Sequence, residues 1–224
     1  MEAQINRYLI ISFILILSFV ILAVILSPSV NPQVGETMLY LADKSAFLQI
    51  NNSHNELINP LMILLTQYGR EVVWTMTGIL LLIFGGDTGR KTALVMAITI
   101  LVLIPIGVIA KDLISKPRPI IPAGSFLIAP DEKYAFPSGH ALLVSAGTAV
   151  MLVLFRDTYK QRILSVGLAI EASLVCFSRV YVGGHYPLDV VSGILLGVGV
   201  AFIFVAYAKP FEQKLLQPIA KALK

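Results

Sequence analysis

The stretch Phe177-Ser178-Arg179-Val180-Tyr181-Val182-Gly183-Gly184-His185-Tyr186-Pro187-Leu188-Asp189 sets a guanidinium, an imidazole and a carboxylate between two apolar runs. Arg179 falls where one hydrophobic segment ends, Gly183 and Gly184 turn the chain, and Pro187 stands where a new helix begins. The three ionisable side chains therefore share one membrane boundary. If the turn after Gly184 opens directly into a helix, His185 and Asp189 are four residues apart and lie on one face. A carboxylate so placed can orient the imidazole. A histidine needs that if one ring nitrogen is to stay unprotonated as a nucleophile or base.

The rest of the chain explains why that boundary is a membrane. Apolar residues make up 57% of the sequence and charged residues 13%, against roughly one quarter charged in a soluble domain. Apolar windows of about 17 to 25 residues, the length that crosses a bilayer, fall at 9–26, 92–110, 141–155, 163–177 and 188–208. A sixth, 72–84, is short, and reaches spanning length only if the amphipathic stretch 57–68 continues it or lies against it in the interface. The expectation is an all-α integral membrane six-helix bundle, a single domain over residues 1–224. The first window exceeds the apolar core of a signal peptide and lacks a small-x-small cleavage pattern, so it reads as a true helix. The lone Cys176 lies in an apolar run, permits no intramolecular disulfide and reads as a small core residue.

Orientation follows from lysine and arginine. With six spans one side carries Arg7, Arg90, Lys91, Arg156, Lys160, Arg162, Lys209, Lys214, Lys221 and Lys224, and that side is expected to be cytoplasmic. The other carries Lys44, Arg70, Lys111, Lys116, Arg118, Lys133 and Arg179. The net charge of +4 needs no nucleic acid to explain it, because basic residues cluster at cytoplasmic helix ends.

Two further segments carry chemistry. In Lys111-Asp112-Leu113-Ile114-Ser115-Lys116-Pro117-Arg118-Pro119 the prolines end the third span, placing Lys111 in its last turn and Arg118 just beyond. Lys116 reads as a cation favoured by the helix dipole. In Phe136-Pro137-Ser138-Gly139-His140, Ser138 reads as an N-cap, and the amides after it form the positive end of a helix dipole, an anion site. Span parity then brings Lys111, Arg118, Ser138, His140, Arg179, His185 and Asp189 to one face of one bundle. Cations, a helix N-terminus, two histidines and a carboxylate are what a phosphate pocket with a nucleophile and an acid requires.

Other features read more plainly. The turn Gly85-Gly86-Asp87-Thr88-Gly89 lacks the Gly-Lys-Ser/Thr ending of a phosphate loop. Residues 38–50 read as a short surface helix, and His54 as a solvated loop residue. Glu171 inside a span reads as a structural hydrogen-bond partner, about 12 Å along its helix from Arg179. Tyr181 and Tyr186 read equally as headgroup-level aromatics or plain packing.

Lys111 with Arg118-Pro119, Pro137-Ser138-Gly139-His140, and Ser178-Arg179 with His185 and Asp189 together resemble the three-part signature of the type-2 phosphatidic acid phosphatase superfamily. That family includes lipid phosphate and polyprenyl pyrophosphate phosphatases, glucose-6-phosphatase and soluble vanadium haloperoxidases. The resemblance implies that His185 attacks phosphorus to give a phosphohistidine, with Asp189 holding its tautomer, and that His140 protonates the leaving oxygen. Lys111, Arg118, Ser138, the Gly139 amide and Arg179 would bind the phosphoryl oxygens. It implies no metal and no cofactor. The expected partners are the bilayer and a lipid phosphate whose tails stay in it: a polyprenyl pyrophosphate, phosphatidic acid or phosphatidylglycerol phosphate. A phosphotransferase using the same phosphohistidine is the nearest alternative. A soluble haloperoxidase is disfavoured by the apolar spans, and a transporter by the lack of ionisable residues through the bundle beyond Glu171.

Overall fold

The computed structural model of the chain describes residues 2–120, 127–128 and 133–211. Lys214, Lys221 and Lys224, counted above toward the cytoplasmic side, lie outside them. The elements are α1 (Glu2–Leu26), α2 (Met38–Asn51), α3 (Asn59–Leu64), a π-helical segment (Leu65–Val73), α4 (Trp74–Phe84), α5 (Gly86–Ile114), α6 (Gly139–Leu154), α7 (Tyr159–Tyr181) and α8 (Pro187–Phe211). The described residues are helical apart from short turns, loops and one isolated bridge between Pro117 and Tyr134.

Among the described residues four helices are long and apolar enough to cross a bilayer: Glu2–Leu26, Gly86–Ile114, Tyr159–Tyr181 and Pro187–Ala208. The two other expected spans depart from a regular apolar rod for physical reasons. At 16 residues, α6 is apolar but short; it touches α5, α7 and α8, and its Val144, Ala146 and Val150 are fully buried. The stretch from α3 to α4 does join the amphipathic and apolar segments into one continuous path. Its middle is a π-helix, whose looser winding lets a polar sequence bury Thr66 and Gly69 while other side chains point outward.

Small residues set the helix spacing, because in lipid, association depends on close packing rather than on a hydrophobic drive. Gly193 and Gly197 of α8 lie against α6: a Cβ at Gly193 would sit 2.6 Å from the Ser138 carbonyl oxygen, and one at Gly197 2.5 Å from Ser145 Oγ. Gly199 lets α1 approach, and Ser12 Oγ donates to the Gly199 carbonyl at 2.7 Å. The opposite face of α1 presents Phe13, Leu17, Val20 and Val24 outward, as a lipid-facing helix does. On the other flank a Cβ at Gly147 would overlap the Trp74 ring. Trp74 is buried there and its indole N–H donates to Glu171 Oε2 at 3.1 Å, so Glu171 has the structural partner its position called for. Cys176 is buried and reduced.

Helix α2 departs from the surface helix expected over 38–50. Asp43, Phe47 and Asn51 point inward, and Phe47 packs edge-on against Tyr186 with ring centroids 5.3 Å apart. His54 is likewise not a solvated loop residue: it is half-buried, its Nε2–H donates to the Tyr181 carbonyl at 2.7 Å, and its ring lies against that of Tyr181. Tyr181 and Tyr186 are both buried, which resolves them as packing residues.

Candidate active site

Helix α5 ends because Ser115 takes a left-handed conformation, φ 54°, and returns its N–H to the Lys111 carbonyl at 2.9 Å. Lys111 is thereby left in the last turn. Past the cap, Ala135 N–H donates to the Lys116 carbonyl at 2.9 Å, so the chain entering α6 is tied to the chain leaving α5. Ser138 stands at the N-cap of α6 in extended conformation, but its hydroxyl makes no capping bond and is buried with no hydrogen-bond partner. Its N–H donates instead to the Asp189 carbonyl at 2.9 Å, joining α6 to α8. Across the site, α7 ends after Tyr181; Gly183, at φ 94°, turns the chain, and Gly184 and His185 both donate to the Arg179 carbonyl. Gly184 is needed for a different reason: a Cβ there would lie 3.1 Å from Arg179 Nη2.

His185 is 1% exposed. Arg118 Nη1 donates to the Gly184 carbonyl at 2.7 Å and lies 3.3 Å from His185 Nε2. Because arginine only donates, this contact assigns the lone pair to Nε2 and the proton to Nδ1. Burial, then Arg179, Arg118 and Lys111, hold the imidazole pKa well below its usual value, with the Ala135 backbone opposing. That shift favours the neutral ring.

Asp189 does not sit as the sequence suggested. Helix α8 begins at Pro187, so His185 lies before it, and His185 Nδ1 is 3.8 Å from Asp189 Oδ2, beyond a hydrogen bond. Asp189 Oδ2 instead accepts the Tyr186 N–H at 2.8 Å, and Oδ1 accepts from Lys116 Nζ at 2.7 Å. Lys116 is the larger surprise. More than a cation favoured by the helix dipole, its ammonium is fully buried and also donates to Asp43 Oδ2 at 3.0 Å. Asp43 Oδ1 accepts the Leu188 N–H at 2.9 Å, so two carboxylates receive N–H groups at the start of α8 and one lysine joins them. Burial opposes the lysine charge, but Asp189 and Asp43 outweigh it and raise the Lys116 pKa above its ordinary value. For Asp43, burial dominates and pushes the carboxyl above the usual carboxylate range.

His140, in the first turn of α6, is half-buried. Its Nε2 lies 3.0 Å from the Thr66 carbonyl and its Nδ1 3.5 Å from Arg70 Nη1, both on the π-helical segment. A carbonyl only accepts and a guanidinium only donates, so Nε2 carries the proton and Nδ1 the lone pair. Arg70 Nη1 and Lys111 Nζ each lie 3.8 Å from where a Gly139 Cβ would be. All seven predicted side chains and Gly139 are thus at one end of the bundle, joined by Arg70, Lys116 and Asp43. In the sequence Arg70 looks like a topology charge and Lys116 like a helix-dipole cation, and no motif marks Asp43.

A cavity of about 710 Å³ opens from Arg70, Lys111 and Gly139 and runs between α4 and α5 to Leu82 and Ala93. Leu82 is some 18 Å along its helix from Arg70 at about 1.5 Å per residue. Past its polar end the lining is almost entirely apolar, including Met96, Ile100 and Leu142. The site is a cationic head with an apolar channel attached.

The chain matches known proteins over most of its length. The sequence model of the PAP2 superfamily covers residues 90–212. An undecaprenyl-diphosphatase of Sulfolobus acidocaldarius is 37% identical over 79% of this chain and 83% of that protein. The undecaprenyl-diphosphatase BcrC of Bacillus subtilis is 27% identical over 70% of this chain and 80% of its own length. In three dimensions the crystal structure of a transmembrane PAP2-type phosphatidylglycerolphosphate phosphatase from Bacillus subtilis superposes with a TM-score of 0.65, covering 91% of this chain and 96% of that one at 22% identity, a likeness of fold. With the family model covering more than half of the sequence and all three signature segments gathered at one end of the bundle, the chain belongs to the PAP2 superfamily.

Proposed function

We propose that this protein is a membrane-integral, metal-independent phosphatase that removes the terminal phosphate of a lipid mono- or diphosphate through a phosphohistidine. The observation that carries the reading is His185: a buried, neutral imidazole with its Nε2 lone pair directed among Arg118, Arg179 and Lys111. A neutral nitrogen at the centre of a cationic pocket attracts an anion and is free to attack its phosphorus. His185 Nε2 forms the N–P bond, and His140, which takes a proton at its Nδ1 lone pair from the bound phosphate monoanion, passes that proton to the departing oxygen. Lys111, Arg118, Ser138, the Gly139 amide and Arg179 hold the phosphoryl oxygens. Asp189 acts by fixing the Tyr186 turn that carries His185 and by facing Nδ1 at 3.8 Å, rather than through a direct hydrogen bond. Water then attacks the phosphohistidine, releasing phosphate and restoring the imidazole. The apolar cavity beside Lys111 suits the lipid chain, and the undecaprenyl-diphosphatase relatives favour a lipid substrate. The same intermediate would serve a phosphotransferase if a lipid hydroxyl replaced water, which labelled-product analysis distinguishes.

The test is phosphate release across polyprenyl diphosphate, phosphatidic acid and phosphatidylglycerol phosphate in detergent. Release is expected from at least one, unchanged by EDTA and inhibited by orthovanadate, which adopts the five-coordinate geometry of the transferring group. Activity lost to EDTA and restored by a divalent ion would refute the mechanism.

Sidedness belongs to the same proposal: six spans, both termini cytoplasmic, and the site on the outer face. It rests on the lysine and arginine distribution together with span parity. A cysteine placed at Lys133 is expected to react with an impermeant maleimide in intact cells, the native Cys176 being buried. Reaction only after permeabilisation would reverse the orientation.

A further inference from the structure

Arg70 lies outside the three signature segments, yet its Nη1 is 3.5 Å from His140 Nδ1, the ring atom that must carry the proton if His140 is the acid. It reaches that point because the π-helical segment directs both the Thr66 carbonyl and the Arg70 side chain toward His140. The two ends of the site therefore differ. Arg118 stands at the nucleophile, 3.3 Å from His185 Nε2, whereas Arg70 stands at the acid, where the leaving group departs. Arg70 also lines the mouth of the apolar cavity together with Lys111. A leaving group passing from His140 into that cavity crosses the Arg70 guanidinium first.

We infer that Arg70 binds the lipid-proximal phosphate of a lipid diphosphate and makes the protein select diphosphates over monophosphates; the inference rests on the phosphatase reading above. In a lipid monophosphate the leaving oxygen is attached to carbon, and nothing beyond it carries charge. In a lipid diphosphate the leaving oxygen is attached to a second phosphorus whose other oxygens are anionic, and a guanidinium matches them with parallel donors. The step balances. His185 Nε2 bonds to the terminal phosphorus and the bond from that phosphorus to the bridging oxygen breaks. The electron pair stays on the bridging oxygen, which leaves as the phosphate anion held by Arg70, or takes a proton that His140 Nδ1 has first accepted from the terminal phosphate monoanion. Water then cleaves the phosphohistidine, so lipid diphosphate and water give lipid monophosphate and inorganic phosphate. Glu71, in direct contact with the Arg70 guanidinium, holds it in place before the phosphate arrives.

The experiment compares farnesyl diphosphate with farnesyl monophosphate, so that chain and detergent partitioning are matched, in wild type, Arg70→Ala and Arg70→Lys. Arg70→Ala is expected to lower the diphosphate-to-monophosphate ratio of kcat/KM roughly 10- to 100-fold, the scale of a hydrogen bond to a charged group, beyond any loss common to both substrates through its contact with His140. Arg70→Lys keeps the charge without the fork and is expected to recover part of the diphosphate loss. Thermal unfolding in detergent reports whether the variants are folded. Equal losses on both substrates, or no loss on either, overturn the inference while leaving the phosphatase reading intact. A wild-type protein that releases phosphate from neither substrate overturns both.

Discussion

Replacing His140 with alanine is expected to slow phosphoenzyme formation by about 10² to 10⁴ on a lipid monophosphate, the range of general acid catalysis, and far less on p-nitrophenyl phosphate. The difference comes from the leaving group. A lipid alkoxide is a poor leaving group and needs the proton from Nδ1, whereas the nitrophenolate departs as a stabilised anion. His185→Ala is expected to fail on both substrates, since no leaving group compensates for a missing nucleophile. Phosphoenzyme trapped in a single turnover is the quantity to measure, because water attack in the second step can reuse His140 as a base and would level the steady-state rates. Equal losses for His140→Ala on both substrates would remove the acid assignment. A phosphoenzyme surviving in His185→Ala would move the nucleophile elsewhere. Because the Thr66 carbonyl holds the Nε2 proton, Nδ1 must first be protonated by the bound phosphate before His140 can act as the acid.

The site was legible in the sequence because each of its parts is local. A proline pair, a Pro-Ser-Gly helix start and a Gly-Gly turn mark helix ends without reference to anything distant, and span parity gathers those ends on one side. The contacts that tie the site together are not local. Lys116 meets Asp43 and Asp189 across 73 residues in each direction, and Asp43 sits in a mixed polar and apolar stretch with no motif around it. Arg70 read as a topology charge because a regular helix gives no reason for one arginine to face inward, and the π-helical turn that aims it leaves no pattern in hydropathy. The same loss of periodicity made the second span look short. His185 and Asp189 were placed on one helical face by their spacing of four, but Pro187 starts the helix two residues after the histidine, and that offset redirects the carboxylate to Tyr186 and Lys116.

Lys116→Met is expected to destabilise the protein by about 3 to 5 kcal/mol, the cost of removing one partner from a buried ion group, although methionine nearly matches the lysine stem in length. The loss arises because Asp43 and Asp189, each with a side chain at most 1% exposed, would face one another without the cation between them. Adding Asp43→Asn to Lys116→Met is therefore expected to restore stability, a coupling opposite in sign to two independent losses. The pH dependence gives a second check. Burial already raises the Asp43 pKa, and loss of Lys116, which lowers it, raises it further. A carboxyl whose folded pKa is raised binds a proton more readily folded than unfolded, so the variant gains stability as pH falls through that folded value. The gap between wild type and Lys116→Met in detergent is thus expected to narrow as pH falls from neutral through the raised folded pKa of Asp43. In the wild type the raised Lys116 pKa works in the opposite sense: its contribution is complete below about 10.5 and lost as pH rises through the folded value. A gap that stays constant with pH, or a double variant weaker than Lys116→Met alone, would show that the triad is not the ionic clasp holding α2 over the start of α8. If the clasp does hold α2 there, Lys116→Met also frees the Tyr186 turn that Asp189 fixes, and phosphoenzyme formation should fall with stability rather than independently of it.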